Sequence, residues 1–325
     1  MSYCCMLISH TGYSLDGASL PENDLAPYIQ QAIDQINFVV AALRASLGHP
    51  EPFNLQLSKL AMKTLHQIHV DDTPQGIYRW RDFAGNLTAI FPQLKFIATS
   101  YPFNPILDPV PKQYDNVYQT PGWFAENAFY YDSVKRDGTY YFEGEYAVVS
   151  TNASDIFGKP NNGRLVYPNM QGSSGEAAFM TGLERNSDIV FAASYAPLLM
   201  NTANYQWSPN LIAFDASNVY PSTSFYTQQL FSLNRGTEYL PSTWPQNGAL
   251  HWSVTRSNSS IANTDMTDEE MSFELPFNGV HDTGTATVLS GSATSNNSPE
   301  TPNAVSPFSY TAPAYSVNVL RVEAK

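Results

Sequence analysis

The stretch Gly138-Thr-Tyr-Tyr-Phe-Glu-Gly-Glu-Tyr-Ala-Val-Val149 combines aromatic and β-branched residues with two acids near its end. This composition predicts a buried β-strand. Residues two apart in a strand lie on the same face, so Glu143 and Glu145 should point in one direction. Barrel enzymes place catalytic carboxylates at the carboxyl ends of parallel strands. Two alternatives follow: a catalytic strand end, or a solvated strand end with two ordinary acids.

Helical and strand patterns alternate on both sides of this stretch, between about residue 25 and residue 235. In the first helical segment, apolar residues recur at helical spacing from Ile29 to Leu43. Such alternation is typical of βαβ units and predicts a parallel sheet. The predicted helices are residues 25–47, 79–91, 121–134, 175–184 and 224–233, and the predicted strands are residues 94–99, 114–119, 138–149 and 188–195.

The sequence changes in character after Gly236. Short segments of alternating apolar and polar residues are separated by loops rich in Ser, Asn and Pro. This pattern predicts an antiparallel β-sandwich, with residues 291–307 as a long loop. The predicted strands are residues 251–255, 271–275, 285–289 and 315–322.

Composition narrows the class of partner. The chain has 325 residues, a formal net charge of −13 and a low charged fraction of 14%. No basic stripe is present to neutralise phosphates, so nucleic acid is excluded as a partner. No apolar run is long enough for a membrane span. Neutral sugars suit such a chain, because aromatic faces, amides and carboxylates bind them without charge pairing.

No metal or cofactor is expected. The two cysteines, Cys4 and Cys5, are adjacent, which disfavours a disulfide between them and gives no framework or metal site. His66 and His69, with the acids at residues 71 and 72, resemble a metal cluster. A zinc site, however, needs three ligands that converge from ordered elements, so we do not predict one here.

The location of the protein is suggested by its sequons. Asn-x-Ser/Thr sequences occur at Asn86, Asn152, Asn258 and Asn296, which fits a secreted parent. The N-terminal residues contain a short apolar run without a basic region or a cleavage site, so we do not predict a signal peptide there. We expect an extracellular protein whose natural N-terminus lies elsewhere.

Several long strings carry a resemblance to a known family. They are Glu143-Gly-Glu-Tyr-Ala147, Gly175-Glu-Ala-Ala-Phe-Met-Thr-Gly-Leu-Glu-Arg-Asn-Ser-Asp-Ile-Val190, Ala193-Ser-Tyr-Ala-Pro-Leu198 and Asn210-Leu-Ile-Ala-Phe-Asp215. These strings resemble the C-terminal two thirds of fungal α-L-arabinofuranosidases of glycoside hydrolase family 51. The resemblance implies a partial (β/α)8 barrel over residues 1–236 and a jelly-roll-like antiparallel β-sandwich over residues 237–325. It also implies a retaining hydrolase that releases terminal α-L-arabinofuranosyl groups from arabinan and arabinoxylan, polysaccharides of the plant cell wall.

The same resemblance assigns roles to individual residues. The nucleophile of the family is the Glu of the Glu-Tyr-Ala string, which is Glu145 here, and Glu143 is its neighbour. Tyr118, Gln206 and Trp207 are candidates to line the sugar pocket by stacking and hydrogen bonding. For Trp207, a place in the core is an equal alternative.

The family's second catalytic residue has no counterpart. A retaining enzyme needs a general acid/base carboxyl group about 5 to 5.5 Å from the nucleophile. The family carries it in an Ile-Gly-Asn-Glu string between two flanking segments, which match residues 48–55 and 78–82 here. Between them stands Gln56-Leu-Ser-Lys-Leu-Ala-Met-Lys-Thr64 instead.

A shifted reading frame explains this departure. Met is ATG and Lys begins with AA, so a frame shifted across Met62 and Lys63 reads GAA, a glutamate. Allowed codons for Lys59, Leu60 and Ala61 then give Ile, Gly and Asn before it. We therefore expect a frame error over about residues 56–76, together with a missing strand between residues 260 and 272 and missing N-terminal barrel strands.

Two function hypotheses remain open. In the first, the chain represents an α-L-arabinofuranosidase with Glu145 as nucleophile. In the second, it is an inert remnant or carbohydrate-binding protein that lacks the general acid/base. A carboxylate in the acid/base position distinguishes the two, with Glu51, Asp71 and Asp72 as the candidate substitutes.

Overall fold

The computed structural model divides the chain into two compact units. The first comprises Met1–Asn116 and Arg136–Glu143, and the second comprises Val117–Lys135 and Gly144–Lys325. The structure describes residues 4–8, 21–40, 45–48, 51, 55–60, 75–98, 113–114, 117–243, 248–256, 259–265, 267, 280–301 and 316–324.

The first unit contains a parallel sheet. Its strands are β1 (Cys4–Ile8), β2 (Leu55–Leu60), β3 (Lys95–Ala98) and β4 (Gln113–Tyr114), and β4 pairs with the start of a longer strand, Tyr140–Val148. All four pairings are parallel, as the alternation of helices and strands predicts. The N-terminal apolar run, which sequence analysis leaves unassigned, is therefore strand β1.

Two amphipathic helices cover this sheet. Helix α1 is Ala26–Val40 and helix α2 is Gln75–Ile90, which confirms both predicted helices with different ends. Their apolar faces meet in one core, to which each helix contributes buried and partly buried apolar residues. The buried members of this core are Leu25, Ala32, Ile36, Leu55, Trp80, Phe83, Ala84, Leu87, Phe91, Leu94, Phe96 and Ala98.

In the second unit, three strands position the candidate site. Strand β6 (Tyr140–Val148) continues from the first unit and pairs in parallel with β5 (Val117–Gln119). Strand β7 (Val190–Tyr195) is also a neighbour of β6. Residues 146–149 are fully buried, as expected for a central strand covered on both faces.

Three helices of the second unit begin at side-chain caps. The Thr120 hydroxyl accepts from the Trp123 N–H, the Asn169 carbonyl oxygen from the Gly172 N–H, and the Ser222 hydroxyl from the Phe225 N–H. These bonds satisfy N–H groups that have no partner within the helix. The helices are α3 (Pro121–Glu126, continued by a 3-10 helix, Asn127–Ser133), α4 (Met170–Arg185) and α5 (Thr223–Leu233).

A small sheet that sequence analysis misses follows β7. Strands β8 (Leu199–Asn201) and β9 (Ile212–Phe214) are parallel, and β10 (Val219–Pro221) is antiparallel to β9. Each strand has only three residues, which is too short for a pattern of alternation to be visible.

The end of the chain contains an antiparallel sheet of four described strands. They are β11 (Leu250–Val254), β12 (Ser259–Asn263), β13 (Val280–Leu289) and β14 (Ser316–Ala324), in the order β11-β12-β14-β13. Strand β12, which sequence analysis does not predict, lies between β11 and β14. The proposed absence of a family strand between residues 260 and 272 stays a prediction, since part of that range lies outside the described residues. The polar sequence of β12 hides it, whereas its backbone bonds to two neighbours define it. The predicted strand at residues 271–275 lies outside the described residues.

Candidate active site

Glu145 and Tyr118 face each other on neighbouring strands. Residue 118 of β5 is paired with residue 147 of β6. This pairing brings Tyr118 into contact with Glu145, which lies 27 residues further along the chain. The Tyr118 hydroxyl donates to Oε2 of Glu145 over 3.2 Å. Glu145 is half-buried, in contrast to the buried Glu143. A phenolic donor holds the carboxylate in one orientation.

Two further aromatic rings extend from Tyr118. The centroid of Trp207 lies 5.7 Å from that of Tyr118, with the ring planes at 52°. The ring of Phe157 lies 5.8 Å from Trp207. The indole Nε1 of Trp207 is buried and has no hydrogen-bond acceptor among the described residues. Ring contacts rather than a hydrogen bond therefore keep Trp207 in place.

Arg164 supports this group of rings. Its guanidinium carbon lies 4.3 Å from the centre of a Trp207 ring and 5.6 Å from that of Phe157. Its Nε donates to the Ser208 carbonyl over 2.7 Å, and its Nη1 donates to the Ile156 carbonyl over 3.0 Å. Burial lowers the pKa of Arg164. The side chain joins the loop that follows β6 to the loop that contains Trp207.

The structure thus brings together Glu145, Tyr118 and Trp207 of the residues predicted from sequence. Gln206 precedes Trp207, and its side chain is exposed, with no contact to Glu145 among the described atoms. Sequence analysis misses Arg164 and Phe157. Their position in the loop directly after the strand of Glu145 is the feature that identifies such residues, because barrel sites are built from these loops.

A buried polar network supports the strand of Glu145 from the side of α4. Glu176 is fully buried, and its Oε1 accepts the Val148 N–H over 2.8 Å. Its Oε2 accepts the Ser224 hydroxyl over 2.6 Å, and Ser224 is in turn bonded to Ser173 at 2.9 Å. Burial raises the pKa of Glu176 to about 8, although both hydrogen bonds oppose the rise. The carboxyl group is therefore protonated at neutral pH.

In the sequence, Glu176 and Glu184 lie with Arg185 in a helical pattern, which predicts structural ion pairs among them. Among the described residues this prediction is wrong. Arg185 lies 3.4 Å from the Asp132 carboxylate and donates over 2.6 Å to the carbonyl oxygens of Trp252 and Ala128. Glu184 accepts the Ser253 hydroxyl, and burial raises its pKa. Buried carboxyl groups without a counter-ion shift toward the neutral form, which hydroxyls can satisfy.

Several sequence predictions fall outside the described residues. His66, His69, Asp71 and Asp72 are among them, as are Met62 and Lys63 of the proposed frame shift. Within the described part, no group of three or more His, Cys, Asp or Glu residues could hold a metal ion. No helix there is long and apolar enough to cross a membrane.

A strand-borne carboxylate with a tyrosine donor and aromatic rings beside it provides one of the two carboxyl groups, and the stacking surfaces, that a glycoside hydrolase site uses. Two family models match the chain. Residues 2–136 match the α-L-arabinofuranosidase 1 domain, and residues 144–325 match the α-L-arabinofuranosidase C-terminal domain. The chain belongs to the α-L-arabinofuranosidases of glycoside hydrolase family 51.

The curated relatives extend over more sequence than this chain. It is 33% identical to a probable α-L-arabinofuranosidase A of Aspergillus terreus over 95% of its own length and 51% of the relative's. It is 28% identical to the α-L-arabinofuranosidase A of Aspergillus niger, again over 95% and 51% of the two lengths. The chain therefore spans about half the length of the curated relatives it matches.

Solved structures agree with this assignment. An arabinose-bound family 51 α-L-arabinofuranosidase is 52% identical, with a TM-score of 0.89 over 98% of this chain and 54% of that one. The α-L-arabinofuranosidase of Thermotoga maritima has a TM-score of 0.68 at 14% identity, over 90% of this chain and 72% of that one. The second likeness concerns the fold alone.

Proposed function

We propose that this chain represents a retaining glycoside hydrolase that releases terminal non-reducing α-L-arabinofuranosyl residues from arabinan or arabinoxylan. The hydrogen bond from Tyr118 to Glu145 carries the proposal, because it fixes a half-buried carboxylate within strand β6, beside aromatic rings. The names of the relatives favour an enzyme over a binding protein.

In the proposed reaction, a carboxylate oxygen of Glu145 attacks the anomeric carbon of the arabinofuranosyl group. The bond to the leaving oxygen breaks, and a covalent glycosyl-enzyme ester forms. Tyr118 orients the attacking carboxylate, while Trp207 and Gln206 are proposed to contact the sugar. Water then gives a proton to a second carboxylate and attacks the same carbon, which releases arabinose and restores the Glu145 carboxylate.

The protonation of the leaving oxygen requires the second carboxyl group. The segment between the two family flanks holds no Ile-Gly-Asn-Glu string, and we attribute this to a shifted reading frame over about residues 56–76. Residues 55–60 of this segment form strand β2. Genomic sequence across codons 38 to 78 tests the proposed frame shift. The proposal fails if no single-base shift restores the Ile-Gly-Asn-Glu string.

We also propose the architecture of the family for this chain: a partial (β/α)8 barrel over residues 1–236 and a β-sandwich over residues 237–325. The parallel pairings up to β6 and the antiparallel sheet after residue 250 support this division. An extracellular location is part of the proposal, with Asn86 as an exposed sequon.

Trapping of the glycosyl-enzyme tests the function without relying on a general acid. A nitrophenyl α-L-arabinofuranoside needs little protonation of its leaving group, so Glu145 should be glycosylated even in this chain. Without a general base the ester should accumulate, and mass spectrometry should find one arabinosyl group on the peptide with Glu145. Added azide should speed turnover by attacking the anomeric carbon and displacing the carboxylate.

Glu145→Gln is the matched control, because the amide is nearly isosteric but cannot form the ester. It should abolish both the adduct and the azide effect. Labelling of another residue, or an equal adduct in Glu145→Gln, would contradict the nucleophile assignment. A folded chain that forms no adduct at all would support the inert carbohydrate-binding alternative.

A further inference from the structure

Phe157 is an exposed ring next to the candidate site. Its relative exposure is 53%, whereas most aromatic rings near the site are at least half-buried. One part of the ring contacts the Arg164 guanidinium and Trp207. From Glu145 outward, the rings of Tyr118, Trp207 and Phe157 therefore form a continuous series that ends at solvent.

The loop that carries Phe157, residues 150–165, is tightly bonded to itself. The Thr151 N–H donates to the Gly163 carbonyl over 2.9 Å, which closes the base of the loop. The Asn162 amide donates to Asp155 over 2.6 Å and accepts from the Asn152 amide at 3.1 Å. Gly163 has a φ of 97°, a left-handed conformation that side chains rarely adopt.

A fixed exposed ring is well suited to binding sugar. Single exposed apolar residues are common and need no explanation. Phe157 differs because a buried arginine lies beneath it and a closed loop holds its backbone, so little conformational entropy is lost when a ligand stacks on it. The C–H face of a pentose packs well on such a ring, and the net charge of −13 favours a neutral partner over an anion.

We propose that Phe157 forms a second sugar-binding position, which holds the pentose to which the terminal arabinofuranosyl group is attached. The proposal rests on the function proposed above. The terminal sugar would lie at Glu145 and Tyr118, and the next unit of the polysaccharide would stack on Phe157. The side chain of Arg164 fixes the two loops that meet there.

The test compares two probes on the full chain, arabinose and α-1,5-linked arabinotriose, by titration calorimetry. Phe157→Ala should weaken binding of arabinotriose about five- to tenfold, the usual size of a ring-stacking contribution. Arabinose, which is bound next to Glu145, should keep its affinity within about twofold. Phe157→Tyr keeps the ring and should bind both probes as the parent does.

Leu233→Ala is a control for the loss of an exposed apolar side chain, since Leu233 is 76% exposed at the end of α5. It should change neither affinity. The second sugar-binding position would be contradicted if Phe157→Ala lost affinity equally for both probes, or if its affinity for arabinotriose were unchanged. If Glu145 is labelled while that affinity is unchanged, only this inference fails. If the parent neither binds sugar nor is labelled, the proposed function fails with it.

Discussion

At the scale of the residue, two carboxyl groups in and beside the candidate site, Glu145 and Glu176, differ in their burial and in the donors that contact them. Glu145 accepts a hydroxyl donor at 3.2 Å in a half-buried position, which suits a carboxylate that must attack carbon. Glu176 is completely buried without a cation among its bonded partners, and its pKa is raised to about 8. The same kind of side chain is thus the proposed nucleophile in one environment, whereas in the other, burial raises its pKa and favours the neutral form.

Tyr118→Phe tests the donor to the nucleophile. The ring and its contact with Trp207 remain, while the hydrogen bond to Glu145 is lost. A hydrogen bond to a charged group contributes about 1.5–3 kcal/mol, so the rate of Glu145 glycosylation should fall about 10- to 100-fold. Stopped-flow release of nitrophenol measures this rate. An unchanged rate would show that the bond does not act in the reaction.

Glu176→Gln tests the buried network through the dependence of stability on pH. The folded state holds a proton up to about pH 8, whereas the unfolded side chain loses it near pH 4.5. The folded state thus binds more protons between these values, so the Glu176 carboxyl makes the free energy of unfolding fall as pH rises from 4.5 to 8.

The Gln variant should lack this fall, because its amide keeps an oxygen for the Val148 N–H and does not titrate. Urea unfolding at pH 5 and at pH 8.5 measures the difference. Glu238→Gln, at a side chain that is 55% exposed, is the control and should follow the parent at both pH values. The network assignment is wrong if Glu176→Gln also follows the parent.

At the scale of the element, helix α4 holds the second unit together. It packs against α3, the 3-10 helix and strands β11 and β12, and nearly all of its residues are buried. Its small residues let neighbouring backbones approach closely. A Cβ placed on Gly182 would lie only 2.1 Å from the Ala128 carbonyl oxygen. The same oxygen accepts from Arg185, one turn further along the helix.

Gly182→Ala should therefore destabilise the protein by about 1–3 kcal/mol, since backbone atoms cannot move aside without cost. Gly122→Ala is the matched control in helix α3, where an added Cβ meets nothing within 4 Å. That variant should be neutral or more stable by up to about 1 kcal/mol, because alanine favours helix over glycine. Thermal unfolding compares them, and equal midpoints would contradict the close packing of α4.

At the scale of the whole molecule, the proposed reaction needs a general acid, and the family string that would supply it is absent between residues 56 and 77. A polysaccharide leaving group is a sugar alkoxide, which leaves poorly without a proton. Loss of a general acid typically lowers such rates by about 10²- to 10⁴-fold.

We expect the chain as given to release no measurable arabinose from arabinan. After the first equivalent of nitrophenol, it should show at most a trace of steady turnover of the aryl arabinofuranoside. Chromatography of reaction products measures the first and absorbance the second. A version with the reading frame restored should gain activity on arabinan far more than on the aryl substrate. Robust hydrolysis of arabinan by the unaltered chain would mean that Glu51, Asp71 or Asp72 supplies the proton.

The sequence by itself determined the kind of elements, their order and the residue most suited to be the nucleophile. Local hydrophobic periodicity sets helix or strand, so α1, α2, β3 and β6 could be predicted. Glu145 is singled out by the Glu-Tyr-Ala string of the family, although it lies inside β6 and not at its end. The three-residue strands β8, β9 and β10 and the polar strand β12 carry no such periodicity. Their identity depends on hydrogen bonds to neighbours far along the chain.

Only the tertiary structure decided which side chains meet. Tyr118 reaches Glu145 because β5 and β6 pair. Arg164 reaches Trp207 because the loop after β6 and the loop that contains Trp207 lie next to each other. Glu176 accepts from Ser224 rather than pairing with Arg185, because burial favours a neutral carboxyl bonded to hydroxyls. Contacts between residues tens of positions apart depend on packing of the whole unit, and no local pattern of residues encodes them.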